Sequence, residues 1–342
     1  MFVYWGMFLI TAGLSLRART VSWFFWPLVG IMFTLVVGLR FEVGGDWHTY
    51  IYHLMWVTHL TLPQALEWGD PGYYLINWLV GQAGMDIWLV NLACAAIFSA
   101  GLVRFCRTMP DPVLALVVSI PYMVIVLAMG YTRQAAAFGF ILWALVYLKD
   151  ERRIAFVAVV ALAITFHKSA VLMIPLAALA GTRGRLWTGL WVGITSYFFY
   201  LAFLAEEIDI LVENYIFADY AHASTGGPIR VMLNSVPATI FIAFRHRFVM
   251  PWQQHKLWFW VSVLSLVCLP LVFIAPTPVD RVALYFMPIQ MVVWSHLPFL
   301  FSGSSYRLVH SAIIVLYGLI QFVWLNYASH AFAWLPYRLW PF

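Results

Sequence analysis

The chain has 342 residues, of which 64% are hydrophobic and 10% are charged. A soluble domain carries about 25% charged residues, so this composition excludes a soluble globular protein. The net charge of +5 comes from short basic clusters between apolar runs, which indicate membrane topology rather than a nucleic-acid surface. We therefore predict one integral membrane domain over residues 1–342, with the lipid bilayer as its surroundings and no nucleic-acid partner.

Apolar runs bounded by charges, Gly or Pro predict an all-α, polytopic bundle of about 12 transmembrane helices. The run from Pro71 to Gly84 is too short to cross a bilayer and predicts a re-entrant or interfacial helix. Residues 154–181 allow either one long tilted helix or two short helices around His167, and the distribution of basic residues favours two. The predicted spans are 1–16, 22–39, 86–104, 113–130, 132–148, 154–166, 169–181, 186–205, 229–244, 257–275, 282–299 and 308–327.

Most Lys and Arg residues fall in cytoplasmic loops if the N-terminus lies outside. Basic residues that lie against this trend at span ends are usually retained for a ligand or partner. Their shared face predicts one outer site, with loops 40–85 and 206–228 and the tail 328–342 covering its cleft. The alternative for the acidic loop 206–228 is that it forms a solvated helix and does not cover the cleft. The outer basic residues are Arg40, Arg133, Lys168, Arg230, Arg281 and Arg338.

The first outer loop carries the candidate base. Gly44 and Gly45 permit a tight turn that presents Asp46 to a cleft, where a carboxylate is able to accept a proton. The alternative is an Arg40–Asp46 ion pair that only fixes the loop. Trp47 and Tyr50 are candidates for stacking on a sugar or for an interfacial aromatic belt, and the belt is the commoner case for Tyr50.

Two further outer segments are suited to an anionic ligand. Arg133 and Gln134 lie at a span end, where a guanidinium is able to bind phosphate through two hydrogen bonds. His167 and Lys168 lie at a helix break at membrane depth. An ammonium group there needs a polar cavity or an anion, unless it snorkels to the interface.

Asp280 and Arg281 precede the eleventh predicted span. We expect Arg281 to bind phosphate while Asp280 orients Arg281 or Lys168, and a plain helix-start Asp is the alternative. The aromatic tail around Tyr337 suits a carbohydrate or the membrane interface. Signatures of nucleotide, metal and serine-hydrolase sites are absent from the sequence, so we predict no metal ion and no cofactor.

Short motifs follow one another along nearly the whole chain. They are Arg40…Gly44-Gly45-Asp46-Trp47…Tyr50, Asp70-Pro-Gly-Tyr73, Arg133-Gln134, His167-Lys168-Ser169, Asp280-Arg281…Tyr285-Phe286 and Pro336-Tyr337. In this order they resemble the EpsG family of bacterial exopolysaccharide polymerases, a Wzy-like group.

The resemblance implies a polymerase at the outer face of the bacterial inner membrane and a fold related to GT-C glycosyltransferases. Its substrate would be an undecaprenyl-diphosphate-linked oligosaccharide, and the growing glycan would move to the non-reducing end of another lipid-linked repeat unit. A chain-length regulator and a flippase of the same pathway are the implied partners. A related glycosyltransferase would place an acid in the first outer loop, where Asp46 stands.

We assign site residues by combining these motifs with the needs of the reaction, which are cations for a diphosphate leaving group and a base for a hydroxyl. Direct displacement predicts inversion at the anomeric carbon. The catalytic candidates are Asp46 as base, Arg40 and Arg281 as diphosphate ligands, and His167 as secondary acid. The substrate-binding candidates are Arg133, Gln134, Lys168, Asp280, Trp47, Tyr50, Tyr285 and Tyr337.

Three other functions use similar parts. A flippase or transporter of lipid-linked oligosaccharide would line a central cavity with cations, whereas here the unusual cations cluster at one predicted face. A membrane O-acyltransferase would use His167 as base and an acyl donor from the cytoplasmic side. A ligase would move a finished glycan to a different acceptor, and only the family resemblance distinguishes it from a polymerase.

Overall fold

The computed structural model describes residues 1–17, 21–181 and 226–341, with isolated residues between 184 and 197. These residues form helices and no strand, apart from one isolated bridge between Arg40 and Leu339. The prediction of an all-α chain is therefore confirmed for this part. Most of the predicted span 186–205 and nearly all of the loop 206–228 lie outside the described residues.

The helices belong to two compact units, Met1–Ala170 with Trp294–Phe342 and Val171–Val293. In the first unit they are α1 (Phe2–Arg17), α2 (Phe25–Gly38), α3 (Trp47–Thr58), α4 (Leu62–Glu67), α5 (Pro71–Gln82), α6 (Ile87–Cys106), α7 (Pro112–Ser119) with a π-helix (Ile120–Ala128), α8 (Thr132–Lys149) and α9 (Arg153–Phe166). In the second unit they are α10 (Met173–Gly181), α11 (Gly227–Phe244), α12 (Trp252–Leu271) and α13 (Pro276–Phe286). The chain returns through α14 (Pro288–His296) to the first unit, which ends with α15 (Gly303–Tyr327).

Local sequence signals explain several helix starts. The Asp111 side chain accepts a hydrogen bond of 3.0 Å from the backbone N–H of Leu114 and caps α7. Pro71 opens α5, where a missing N–H costs nothing because the first helical N–H groups have no partner within the helix. These signals place Asp70 immediately before a helix start.

The core of the first unit is built around α6 and α8. Helix α6 packs against α2 and α8, and α8 packs against α9. All residues of the π-helix and nearly all of α7 are buried. A helix that is apolar on every side belongs at the centre of a bundle, so α7 and the π-helix form the inner element of this unit.

Four stretches of the described chain are long and apolar enough to cross a membrane: Ile87–Cys106, Gly227–Arg247, Pro278–Leu300 and Gly303–Tyr327. Shorter apolar helices coincide with the predicted spans near 1–16, 22–39, 113–130, 154–166 and 169–181. The helical membrane character is thus confirmed. The total of about 12 spans and the GT-C-like arrangement remain predictions.

The region 154–181 consists of two helices rather than one. Helix α9 ends at Phe166, and His167 has an extended backbone with φ −160° and ψ 119°. A 3₁₀ turn, Lys168–Leu172, then precedes α10. The short helix between the second and third predicted spans is also present as α5, whose 12 residues are about 18 Å long and too short for a bilayer core of about 30 Å.

Candidate functional site

An ion pair between Asp70 and Arg133 forms the centre of the candidate site in the first unit. The Arg133 Nη1 atom lies 3.0 Å from the Asp70 Oδ2 atom. The Arg133 side chain is 32% exposed and the Asp70 side chain 10%, so the pair is open on the arginine side. The Arg133 guanidinium lies over the Tyr73 ring, 5.7 Å from its centroid. Stacking holds the guanidinium plane in place and leaves its edge for hydrogen bonds.

Close packing of α5 on the end of α9 brings Lys168 to this pair. Gly72 faces Thr165 and Phe166, and a Cβ atom at position 72 would clash with both side chains. Burial raises the pKa of the Asp70 carboxyl, and the charges of Arg133 and Lys168 oppose that rise. A hydrogen bond from the Lys168 backbone also acts on the carboxylate. Asp70 therefore interacts with cations from both α8 and the break after α9.

Aromatic rings surround the same ion pair. The Tyr73 ring centroid lies 5.9 Å from that of Tyr50 and 5.5 Å from that of Tyr74. The His53 ring lies 5.7 Å from Tyr74. Burial and the charge of Arg133 lower the pKa of His53, and its Nδ1 atom is buried without a hydrogen-bond partner in the described chain. These aromatic rings exclude part of the water from the Asp70–Arg133 site, and electrostatic interactions there are stronger than in water.

Arg40 has a different role from the predicted one. Its side chain is 1% exposed, and its Nε and Nη1 atoms donate to the carbonyls of Val43 and Val37 at 3.0 and 2.6 Å. Its Nη2 atom donates to the Thr132 hydroxyl at 2.8 Å and to the Asn91 side chain at 3.3 Å. This burial does not fit a diphosphate ligand. Arg40 instead joins the end of α2 to the start of α8, next to Arg133.

The Asp46 loop is held by the C-terminal tail. The backbone N–H of Phe41 donates to the Arg338 carbonyl at 2.9 Å, and that of Gly44 donates to the Ala333 carbonyl at 2.8 Å. Gly44 has φ +109° and lies against the Met129 carbonyl, where a side chain would clash. Asp46 is exposed directly after this turn, as a candidate base requires.

Of the aromatic residues predicted to bind sugar, Trp47 and Tyr50 are packed in the protein and Tyr337 is half-buried. Trp47 and Tyr50 are each 4% exposed. The Trp47 ring contacts the Trp340 ring at 6.2 Å, and Tyr50 contacts the Tyr73 ring. The Tyr337 hydroxyl donates to the Val36 carbonyl at 2.8 Å. Stacking of Trp47 and Tyr50 on a sugar does not fit these positions, and burial also argues against the interfacial belt for Tyr50.

In the second unit, Asp280 pairs with a residue that sequence analysis did not connect to it. Both carboxylate oxygens accept hydrogen bonds from Arg230, and the Nε–Oδ1 distance is 2.6 Å. The prediction that Asp280 orients Arg281 or Lys168 is therefore replaced by an Arg230–Asp280 pair whose side chains are about 10% exposed. Arg281 is exposed, and Tyr285 is 2% exposed, which does not fit a substrate-binding ring.

The two remaining predicted residues, Gln134 and His167, directly adjoin Arg133 and Lys168 in the chain. Gln134 is 6% exposed, and its Nε2 atom has no hydrogen-bond partner in the described chain. The His167 Nδ1 atom lies 2.6 Å from the Ser169 hydroxyl. Among the described residues, no three His, Cys, Asp or Glu side chains are grouped to hold a metal ion.

Asp70 and His53 are the site residues that sequence analysis missed. The available signal was an acid directly before Pro71 in a segment at the predicted outer face, within one of the quoted motifs. That signal was ambiguous because Asp before a helical Pro is also an ordinary helix start. Its partner Arg133 is distant in sequence, so only the tertiary structure reveals the pair.

A model of the EpsG family matches residues 23–339, which is nearly the whole chain. The resemblance seen in the motifs is thereby confirmed. No curated protein and no solved structure matches the chain.

Proposed function

Because this chain belongs to the EpsG family, which implies an exopolysaccharide polymerase-type function, we propose that it extends a glycan carried on undecaprenyl diphosphate. The donor is the growing glycan on one lipid, and the acceptor is the non-reducing end of a repeat unit on another. We place the reaction at the outer face of the bacterial inner membrane, in line with the distribution of basic residues.

The proposed reaction is an inverting displacement at the anomeric carbon of the donor sugar. The acceptor hydroxyl oxygen bonds to that carbon while the bond from the carbon to the diphosphate oxygen breaks. The lipid diphosphate leaves with the electron pair, and a carboxylate takes the hydroxyl proton. Such a reaction needs cations where negative charge develops and a base beside the acceptor.

The observation that carries the proposal is the Asp70–Arg133 ion pair beside Lys168. Arg133 makes a single contact with Asp70, so the other N–H groups of its guanidinium are available to phosphate oxygens. Lys168 is exposed and adds a second positive charge. We propose that Arg133 and Lys168 bind the departing diphosphate, and that Gln134 and His167 donate further hydrogen bonds.

Diphosphate binding also provides a way to free a base. Asp70 and a diphosphate compete for the same guanidinium, so the incoming substrate would release the Asp70 carboxylate from Arg133. Burial, which raises the pKa of Asp70, makes it a stronger proton acceptor than an ordinary carboxylate. We therefore propose Asp70 as the base and keep Asp46 as the alternative, since burial supports Asp70 and exposure of the loop supports Asp46.

Three further parts of the proposal rest mainly on the sequence. Arg281 is proposed as a phosphate ligand of the second unit, because it is an exposed cation against the positive-inside trend. The loop 40–85 and the tail 328–342 are proposed to cover the substrate cleft. A flippase that supplies the lipid-linked repeat unit and a chain-length regulator are proposed as pathway partners.

Reconstitution of the purified protein with a lipid-diphosphate-linked repeat unit tests this function. Products are separated on a gel for wild type, Asp70→Asn, Asp46→Asn and the control Glu67→Gln, an exposed acid in the adjacent α4. We expect a ladder from wild type and from Glu67→Gln, and a loss of at least about 100-fold in polymer from Asp70→Asn, typical of removing a general base.

The outcomes separate the assignments. A ladder that persists in Asp70→Asn and disappears in Asp46→Asn makes Asp46 the base and rejects Asp70. No ladder from wild type, with folded protein and a substrate that a known polymerase accepts, rejects the polymerase function. Movement of the intact lipid-linked unit between leaflets in the same vesicles would then identify a flippase.

A further inference from the structure

A second group of cations lies at the opposite ends of α6 and α8 from the Asp70–Arg133 site. The Arg104 guanidinium lies over two rings of α8, 5.2 Å from the centroids of both Trp143 and Tyr147. The Arg152 guanidinium also lies over Tyr147, at 4.9 Å. Two positive groups thus share one aromatic ring, and Lys149 adds a third positive charge nearby.

The chain builds this arrangement through a tight turn after α8. The Glu151 backbone has φ +57°, a left-handed conformation that is costly for a residue other than Gly. The turn lets the backbone N–H of Arg152 donate to the Tyr147 carbonyl at 2.9 Å. The Lys149 ammonium donates to the Thr108 carbonyl at 2.8 Å, which joins the end of α8 to the turn after α6. The turn thus places the backbone of Arg152 beside Tyr147, and the Lys149 side chain is anchored to the turn after α6.

These arginines are not neutralised by carboxylates of the described chain. Its ion pairs to arginine are Arg133–Asp70, Arg230–Asp280 and Arg338–Glu42, and none includes Arg104 or Arg152. Asp150 and Glu151 are adjacent in sequence and exposed, yet neither forms an ion pair with the stacked guanidiniums. The Nε atom of Arg104 is buried without a hydrogen-bond partner. Two guanidiniums that share one ring carry charges of the same sign, so an anion that contacts both would offset their repulsion.

We propose that Arg104, Arg152 and Lys149, set on the Trp143 and Tyr147 rings, bind the phosphodiester headgroup of an anionic phospholipid. Basic pockets between membrane helices bind such headgroups, and aromatic rings at the interface level stabilise the cations beside them. Arg104 lies in the last turn of Ile87–Cys106, an apolar helix long enough to span the bilayer, so the group is at the depth of a headgroup. Inorganic phosphate offers the same oxygens without the acyl chains.

Simple snorkelling does not account for this geometry. A snorkelling side chain extends from the apolar region into water. Arg104 instead folds over the side of α8, with part of its guanidinium buried. A backbone hydrogen bond to Tyr147 fixes the backbone of Arg152, whose guanidinium lies over the same ring. The helix C-termini of α6 and α8 favour cations, but that attraction requires no ring stacking.

Lipid retention in nanodiscs tests the proposal. Purified protein is placed in phosphatidylcholine nanodiscs with and without phosphatidylglycerol, and bound anionic lipid and the unfolding temperature are measured by native mass spectrometry and thermal melting. We expect phosphatidylglycerol to bind to wild type and raise its unfolding temperature. Arg104→Gln/Arg152→Gln should weaken that binding by about thirtyfold, since each cation contributes about a factor of five to an anionic headgroup.

Matched variants separate the site from general charge and from loss of fold. Arg17→Gln/Arg307→Gln removes the same charge from exposed positions and should leave binding unchanged. Tyr147→Phe should retain binding because its ring remains, whereas Tyr147→Leu should lose it. All variants should melt at the wild-type temperature in phosphatidylcholine alone.

Three results would overturn the proposal. They are equal retention of phosphatidylglycerol by Arg104→Gln/Arg152→Gln and wild type, an equal loss in Arg17→Gln/Arg307→Gln, and stabilisation by inorganic phosphate that matches stabilisation by phosphatidylglycerol. The last result would identify free phosphate as the ligand. The measurement needs no polymerase activity, so failure of this proposal and failure of the proposed function are distinguishable.

Discussion

The two units of the chain each contain an arginine–aspartate pair, and the pairs differ in how closed they are. In the second unit, Asp280 binds Arg230 through both carboxylate oxygens, and both side chains are about 10% exposed. In the first unit, Asp70 meets Arg133 through one contact, and the arginine is 32% exposed. In a closed pair the two charges neutralise each other and stabilise the fold. In an open pair some N–H groups of the arginine remain able to donate hydrogen bonds to a ligand.

The polar residues around the two pairs differ in the same way, in whether their hydrogen bonds are satisfied within the protein. Near Arg230–Asp280, the Asn234 side chain donates to the Ala283 carbonyl and accepts from Gln290, both at 2.7 Å. That network is satisfied within the protein. Near Asp70–Arg133, the buried His53 Nδ1 and Gln134 Nε2 atoms have no hydrogen-bond partner in the described chain. Buried polar atoms normally have a hydrogen-bond partner. These two atoms of the first unit are therefore able to form hydrogen bonds with water or substrate.

The largest effect is expected from breaking the closed pair. Arg230→Met leaves the Asp280 carboxylate buried without its partner, and we expect the free energy of unfolding to fall by about 3–5 kcal/mol. Denaturant unfolding in detergent measures this change. Arg230→Met/Asp280→Leu removes both charges and should recover most of the loss.

The exposed Arg338–Glu42 pair is the matched control for that experiment. Its side chains are 54% and 44% exposed, so Arg338→Gln should change the free energy of unfolding by less than about 1 kcal/mol. If Arg230→Met proves no more destabilising than Arg338→Gln, the closed pair has no special structural role and the comparison fails.

Arg133→Gln should separate stability from turnover at the open pair. Arg133 is 32% exposed and Lys168 still acts on Asp70 in this variant, so we expect a smaller loss of stability than that of Arg230→Met. Polymer formation should fall by about 10²–10³-fold, because a cation at the developing charge of the leaving group is removed. Initial polymerisation rates beside unfolding curves measure both quantities. A loss of stability as large as that of Arg230→Met would assign Arg133 a structural role.

The smallest expected effect is a shift of the pH profile. Because burial raises the pKa of Asp70, polymerisation that uses its carboxylate should increase with pH through a midpoint above the ordinary value of 3.8. Lys168→Gln removes a charge that opposes this rise, so the midpoint should move to higher pH. Polymerisation rates from pH 4 to 8 measure the shift. An unchanged midpoint in Lys168→Gln would exclude Asp70 as the titrating base, and Glu67→Gln serves as control.

The stability contribution of Asp70 has the opposite dependence on pH. Its folded pKa lies above its unfolded value, so the folded state binds the proton more tightly than the unfolded chain does. The stabilisation is therefore present below the unfolded pKa and is lost as pH increases through the folded pKa. The melting temperature of wild type should decline across this window relative to Asp70→Asn.

Helix positions were predictable from the sequence because each depends on a contiguous run of residues. The break at His167 and the short helix that starts at Pro71 match the structure within a few residues, and most apolar runs of the described chain coincide with helices. Backbone groups in an apolar environment must form hydrogen bonds within a segment, so composition alone determines where helices form. The positions of Asp46 in an exposed turn and of Arg133 at a helix start followed from the same local patterns.

Partners of the charged residues were decided only by the tertiary structure. Arg40, Asp280 and Trp47 were all expected to serve a ligand, and each is instead buried against residues of the protein. Asp70 is a site candidate because it pairs with Arg133, which is distant in sequence, and no local sequence pattern indicates that pair. Helix formation is a property of neighbours along the chain, whereas an ion pair depends on which helix ends meet after packing. The sequence by itself thus determined the membrane class, the helices and the family, and folding determined which charges remain available for chemistry.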